Sequence, residues 1–206
     1  MIVNIIICLL LGYLFGCFST GYLIGKINKV DITKYGSKNS GTTNALRTLG
    51  AKAGLLTLLG DMIKAIIPIL LVKLAIYPDN DDVLLLALYT GLGVVLGHNY
   101  PIFLKFRGGK GIAATAGTMA VIDPLLIPFA LPIFVISVAI TRYVSVGSLL
   151  ISIFFPIWIA IRHQENIHML LVALAFTILA FIKHSQNIKR ILNGTENKLG
   201  QKVKID

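Results

Sequence analysis

The sequence predicts an all-α, polytopic integral membrane protein: a seven-helix transmembrane bundle with its N-terminus outside and its C-terminus in the cytoplasm. Three observations lead there. The chain of 206 residues is 56% hydrophobic and 14% charged with a mean hydropathy of +0.83, more Leu, Ile and Val than a soluble domain of that size buries. Its apolar runs recur at intervals of roughly 20–35 residues, near the ~20 that cross a bilayer. Its cations are segregated. Six Lys and Arg fall in 26–52, three in 105–110, one at Arg142 and six in 183–204, which together make sixteen of nineteen. Seven crossings put all sixteen on one side and leave Arg162 with Asp79, Asp81, Asp82, Asp123 and Glu165 on the other, as the positive-inside rule requires. Six crossings would split the basic loops.

The first span covers about 3–25. It lacks a charged n-region and an A-x-A-like cleavage site, so it reads as a mature helix and not a signal peptide. Cys8 and Cys17 both lie in it, without a C-x-x-C pattern, and read as small apolar filler; no metal or cofactor is expected. A polar loop, 26–51, follows on the cytoplasmic side. The second span, 52–76, stops at Tyr77-Pro-Asp-Asn-Asp-Asp82. Within it Asp61 and Lys64, three apart, can pair inside the bundle, and Lys73 is expected to snorkel to the outer interface.

The third span, 83–104, leads into the short basic loop 105–110. Residues 111–122 are rich in Ala, Gly and Thr and end at Asp123-Pro124. As a helix they reach only ~18 Å, so this crossing must be thin, tilted or re-entrant and packed closely among its neighbours. Spans at 124–141, 145–161 and 167–184 follow, and a basic tail runs over 185–206. His163 and His168 fall on the outer side and read as interfacial residues.

Two stretches are unlike anything a lipid-buried core needs. The first is Tyr35-Gly-Ser-Lys-Asn-Ser-Gly-Thr-Thr-Asn-Ala-Leu-Arg47. Ser37, Asn39, Ser40, Thr42, Thr43 and Asn44 offer donors, Gly36 and Gly41 permit tight turns, and Arg47 can grip phosphate through two parallel hydrogen bonds. A helix cap needs one such residue; six are present. The stretch from Thr42 to Leu49 can also open a helix, with its first N–H groups aimed at an anion. The second stretch contains Gly108-Gly-Lys-Gly111, where peptide N–H groups and the Lys110 ammonium form an electropositive nest. It is not a Walker A loop, because Ile112 follows Gly111 and the spacing is absent. His98, beside Asn99 and Pro101, reads more readily as a structural histidine at a helix end than as a catalyst. In the tail, His184 and Asn187 are three apart and share a helix face. Both glycine-rich loops and the tail lie on the same side, so they can converge. The net charge of +10 then reflects cytoplasmic loops and anionic headgroups, and no nucleic-acid partner is expected.

Taken together, Gly36-Ser-x-Asn-x-Gly-x-Thr-Asn44 with Arg47, Gly97-His-x-x-Pro-x-Phe103 with the 108–111 glycines, and His184-x-x-Asn187 with Gly194-Thr-Glu196 resemble the bacterial acyl-phosphate:glycerol-3-phosphate acyltransferases, the PlsY family. The resemblance covers nearly the whole chain, and three motifs in order are specific where one would be weak. It implies a seven-helix membrane bundle in the bacterial inner membrane, with the active site on the cytoplasmic side. It also implies transfer of a fatty acyl group from acyl phosphate to the sn-1 hydroxyl of glycerol 3-phosphate, giving lysophosphatidic acid and phosphate. By the same resemblance Gly108, Gly109, Lys110 and Gly111 hold phosphate. Ser37, Thr43, Asn44 and Arg47 match the first motif, with Ser40 beside them; His184 and Asn187 match the third, and Glu196 is structural. Lys38 stands where the family usually has glycine, Cys17 and Ser19 replace a serine and a proline, and Thr33 replaces a frequent arginine.

Acyl phosphate is a mixed anhydride with a good leaving group, so positioning and charge stabilisation suffice. No H-x-x-x-x-D dyad and no Ser–His–Asp or Cys–His set is present. Direct attack by the glycerol hydroxyl is therefore expected, with Lys110 and the loop N–H groups stabilising the developing charge, Arg47 holding the phosphate of glycerol 3-phosphate, and either His184 or the substrate phosphate accepting the proton. The rival reading, a transporter or channel for a phosphorylated solute, would use the same basic loops and intramembrane pair. Against it, the polar residues cluster on one face and no inverted repeat is visible. The bilayer, acyl phosphate and glycerol 3-phosphate are the expected partners; none that supplies acyl phosphate is identifiable.

Overall fold

The structure, a computed structural model, describes residues 1–201; the last five positions of the expected tail, 202–206, lie outside the described residues. Among the described residues every regular element is helical. In order they are α1 (Ile2–Gly16), α2 (Thr20–Ile27), α3 (Thr42–Leu49), α4 (Ala51–Leu71), α5 (Val83–Asn99), α6 (Ile112–Ile122), α7 (Ile127–Thr141), α8 (Val144–Arg162), α9 (Ile167–Lys183) and α10 (Ser185–Leu192). A π turn, Val72–Ile76, extends α4, and 3₁₀ turns lie at Ile102–Leu104 and Pro124–Leu126. By length and apolarity five segments can cross a membrane: Ile2–Ile27, Ala51–Ile76, Val83–Leu104, Pro124–Thr141 and Val144–Arg162. α9 with α10, bent by 56°, makes a sixth, while α6 is too short to be counted on those criteria. This is a multi-pass membrane protein.

The central helix is α5. Two-thirds of its apolar window is buried, against 22% for the first segment and 17% for Pro124–Thr141, whose outer faces are left to lipid. The closest helix pair is α1 on α5, and glycine makes it possible. A Cβ at Gly12 or Gly16 would overlap the backbone of Thr90 or Val94, and one at Gly93 or Gly97 the backbone of Leu9 or Tyr13. Two Gly-x-x-x-Gly runs thus face each other and let the backbones touch. On the opposite side α4 shows Leu55, Leu59, Ile63 and Ile67 outward, a stripe at helical spacing that only lipid can cover.

Three expected spans are less regular than predicted. The first breaks at 17–19, where Ser19 is extended before α2 starts. The freed carbonyls of Gly16 and Phe18 accept hydrogen bonds from the Lys64 ammonium at 3.1 and 2.6 Å. This satisfies the rule that backbone groups at membrane depth need an internal partner. The third span does not continue as α-helix to 104. Pro101 forces Tyr100 out of helical geometry and ends α5 at Asn99. The fifth begins with a 3₁₀ turn, not an α-helix, because Pro124 follows an extended Asp123 whose side chain accepts from Leu125 N–H.

α6 is held at both ends. Its start is Gly111, at φ 82°. Beyond its end, Asp123 Oδ2 accepts from Trp158 at 2.9 Å and pairs with Arg162 at 3.4 Å. The Lys73 ammonium, expected to snorkel to the outer interface, donates to the Val121 carbonyl at 3.2 Å and caps the helix. The polar loop 26–51 contains α3, and the tail contains α10.

Candidate active site

The loop after α5 folds back onto the end of its own helix. Gly108 N–H donates to Asn99 O at 3.3 Å and Gly109 N–H to His98 O at 2.9 Å, using carbonyls that a helix end leaves unpaired. Lys183 adds a second bond to Asn99 O at 3.0 Å and lies over the Tyr100 ring. The chain then reverses through Gly111 into α6, leaving the first N–H groups of α6 facing a cavity of about 440 Å³ lined in part by Gly111, Ile112 and Ala113. The first turn of α3, at Gly41, Thr42 and Thr43, lines the same cavity. Two helix N-termini, each favourable to an anion, therefore meet one space.

The first polar loop is organised by Asn44. Its amide donates to Ile32 O, Tyr35 O and Asn39 O at 2.8, 3.1 and 2.8 Å and accepts from Ser37 N–H at 2.9 Å. Asn44 is 1% exposed. Both N–H donors are spent on the loop, so Asn44 shapes the site and has no donor left for a phosphate. The loop needs two left-handed turns, at Gly36 (φ 59°) and Lys38 (φ 53°). Position 38 is where the resembled family favours glycine, and the backbone supplies the reason. Ser40 is buried but is not part of the cavity wall.

Lys110, Asn187 and Glu196 form a chain of short bonds. Lys110 Nζ donates to Asn187 Oδ1 at 2.6 Å, and Asn187 Nδ2 donates to Glu196 Oε1 at 2.6 Å. An ammonium needs an acceptor and a carboxylate needs a donor, so the amide has one orientation only. Glu196 also accepts from Ser145 at 3.0 Å and pairs with Arg190 at 2.7 Å. Burial alone would raise its pKa, but the bonds from Asn187, Arg190 and Ser145 hold the carboxyl below its ordinary value. Burial, reinforced by Arg190, Arg47 and Lys183 and opposed by Glu196, brings Lys110 down to about 8. The tail is pinned across this end of the cavity: Arg47 donates to Asn197 O at 3.0 Å, and Leu199 N–H to Arg142 O at 2.7 Å.

His184 is 1% exposed and sits at the bend between α9 and α10, in the cavity wall. Its Nδ1 lies 2.8 Å from Ala180 O, an acceptor only, so Nδ1 carries the proton and Nε2 keeps a lone pair.

Of the residues singled out in the sequence, Ser37, Thr43, Asn44, Arg47, Lys110, Gly111, His184 and Asn187 line the cavity, whereas Ser40, Gly108 and Gly109 stand outside its wall. The structure adds Ser145 to the wall and Arg190 behind Glu196, and it brings Asp61 and His98, read in the sequence as half of a bundle ion pair and a structural histidine, to the same cavity. Arg190, three residues beyond Asn187, had a legible signal in its helix spacing; a lone serine at the head of a span carries none. Away from the charges the wall turns apolar, with Leu58, Met62, Ile127, Leu131, Phe134 and Ile151 from α4, α7 and α8. Leu131, at the edge of this apolar stretch, is also 57% exposed on the surface of the bundle.

A family model described as Glycerol-3-phosphate acyltransferase matches residues 6–194. The chain is 43% identical over 202 residues to Glycerol-3-phosphate acyltransferase of Clostridioides difficile (strain 630), covering 98% of each. It is 41% identical over 197 residues to the protein of that name from Thermoanaerobacter pseudethanolicus (strain ATCC 33223 / 39E), covering 95% of this chain and 96% of that one. Among solved structures it resembles PlsY, an integral membrane glycerol 3-phosphate acyltransferase. In the glycerol 3-phosphate form the TM-score is 0.86 at 32% identity, covering 95% of this chain and 96% of that one. In the lysophosphatidic acid form it is 0.84 at 31% identity, covering 96% of each. The chain belongs to the glycerol-3-phosphate acyltransferase family.

Proposed function

We propose that this acyltransferase moves a fatty acyl group from acyl phosphate to the sn-1 hydroxyl of glycerol 3-phosphate, releasing lysophosphatidic acid and phosphate. The observation that carries the reading is the cavity itself. One end gathers Arg47, Lys110 and two helix N-termini, and the rest is apolar. A substrate pair with two phosphates and one fatty chain matches that division. The rival transporter reading gives way to family membership and to the one-ended placement of the charges.

Arg47, Ser37 and the α3 N-terminus hold the phosphate of glycerol 3-phosphate. Lys110, Gly111 and the α6 N-terminus hold the donor phosphate, while Gly108 and Gly109, whose N–H groups are spent on the Asn99 and His98 carbonyls, fold the loop that carries them. The hydroxyl oxygen attacks the acyl carbon, the bond from that carbon to the phosphate oxygen breaks, and inorganic phosphate leaves with the electron pair. Lys110 and the first N–H groups of α6 neutralise the growing charge. The Nε2 lone pair of His184 is a ready acceptor for the hydroxyl proton; the substrate phosphate is the other. The reaction runs on the cytoplasmic side of a bacterial inner membrane, with α6 counted as the seventh crossing.

The test is a donor comparison. Purified protein with glycerol 3-phosphate should release phosphate and form lysophosphatidic acid from acyl phosphate, with little turnover of acyl-CoA at equal concentration. Robust turnover with acyl-CoA alone would overturn the donor assignment.

A further inference from the structure

Three ionisable side chains are buried where the broken first span, α4 and α5 meet, and the acyl-transfer scheme uses none of them. Asp61 is 1% exposed, Lys64 and His98 5% each. Lys64 has three ammonium hydrogens. Two go to the Gly16 and Phe18 carbonyls, and the third to His98 Nδ1 at 2.8 Å. Asp61 Oδ1 lies 3.1 Å from Lys64 Nζ and 3.7 Å from His98 Nδ1. Its approach is off-axis, so it acts as a counter-charge without a directed hydrogen bond. An ammonium has no lone pair, so Nδ1 must be the acceptor and the His98 proton resides on Nε2, the reverse of His184.

The far edge of that ring carries the glycine loop. A Cβ on Gly109 would overlap His98 Nε2 and come within 2.7 and 2.8 Å of Cε1 and Cδ2. Gly109 is not among the positive-φ glycines, whereas Gly111 is. The glycine at 109 therefore answers to space, and the space is taken by the imidazole. We propose that His98 is a positioning residue: locked by Lys64 and Asp61, its ring sets the height at which the 108–111 loop presents Lys110 and Gly111 to the donor phosphate. The intramembrane ion pair thereby serves the loop, besides capping the broken span. This rests on the reading of the loop as the donor-phosphate site.

The test is a double-mutant cycle on donor kinetics. His98→Asn keeps an acceptor oxygen near the Nδ1 position for Lys64 but removes the Nε2–Cε1 edge. Gly109→Ala alone should lower kcat/KM for acyl phosphate by about 10- to 100-fold, the usual consequence of overpacking. In the His98→Asn background the same change should lower it by less than about 3-fold, with coupling as the readout. KM for glycerol 3-phosphate should stay at its wild-type value throughout. Equal losses in both backgrounds would mean that Gly109 answers to phosphate and not to His98, and would overturn the proposal. Lys64→Met gives an independent arm: it should raise KM for acyl phosphate and spare that for glycerol 3-phosphate. A folded Lys64→Met enzyme with a wild-type donor KM would also overturn it. If wild type fails to use acyl phosphate at all, the donor-site reading falls first, and the inference with it.

Discussion

Lys110 is the residue on which the charge of the site turns. Burial and three neighbouring cations pull its ammonium down to about 8, with Glu196 opposing them. The charged form, present below that value, is the one that attracts an anionic donor. For free enzyme, kcat/KM for acyl phosphate should therefore hold level up to about pH 8 and fall above it, as the ammonium is lost. Lys110→Arg keeps a cation that does not titrate in this range. It should be slower at every pH, and its alkaline limb should disappear. An Arg variant with the same limb would assign the titration to another group. Lys110 was legible in the sequence because a loop so rich in glycines and cations has no purpose in a lipid-facing core, whereas spacing gave His184 and Asn187 only a shared helix face and the family resemblance supplied their place in the site. The work of Asn44 was not, since four bonds to backbone groups from Ile32 to Asn39 depend on how the loop closes. The same holds for Ser145, which meets Glu196 across 51 positions of chain.

At the scale of elements, hydropathy located the spans closely: 52–76 against Ala51–Ile76, and 145–161 against Val144–Arg162. The breaks escaped it, because a break at membrane depth is permitted by a tertiary partner. For the first span that partner is Lys64, some 46 residues away. The contact between α1 and α5 is legible in hindsight from the pair of Gly-x-x-x-Gly spacings, and it carries a prediction. Gly12→Ala would drive a methyl into the Thr90 carbonyl. Overpacking of this kind costs about 1–3 kcal/mol, and a chain of this size loses roughly 2–4 °C of Tm per kcal/mol. The variant in detergent should therefore melt at least about 2 °C below wild type. Leu10→Ala, at a position 59% exposed to lipid, is the control and should melt with wild type. Equal melting of Gly12→Ala and wild type would show that the two helices have slack to separate.

At the scale of the whole molecule, the segregation of charge and the convergence of the loops constrain each other. The cavity draws on the first polar loop, the glycine loop and the tail at once, so all three must lie on one side of the membrane. Sixteen of nineteen cations sit in or beside those segments. The far end carries Asp123 with Arg162, and Lys73 on the last turn of α6. The positive-inside rule then predicts that this end faces the cytoplasm. Single cysteines at positions 38, 107, 198 and 81, in a background with Cys8 and Cys17 replaced by Ala, test this directly. In intact cells an impermeant thiol reagent should reach position 81 only, and permeabilisation should expose the other three. Labelling of 38, 107 and 198 without 81 would invert the protein and place the site outside. Labelling of 38 from one side and 107 from the other would be incompatible with a single cavity, and would remove the geometric basis for bringing Arg47 and Lys110 to the same reaction.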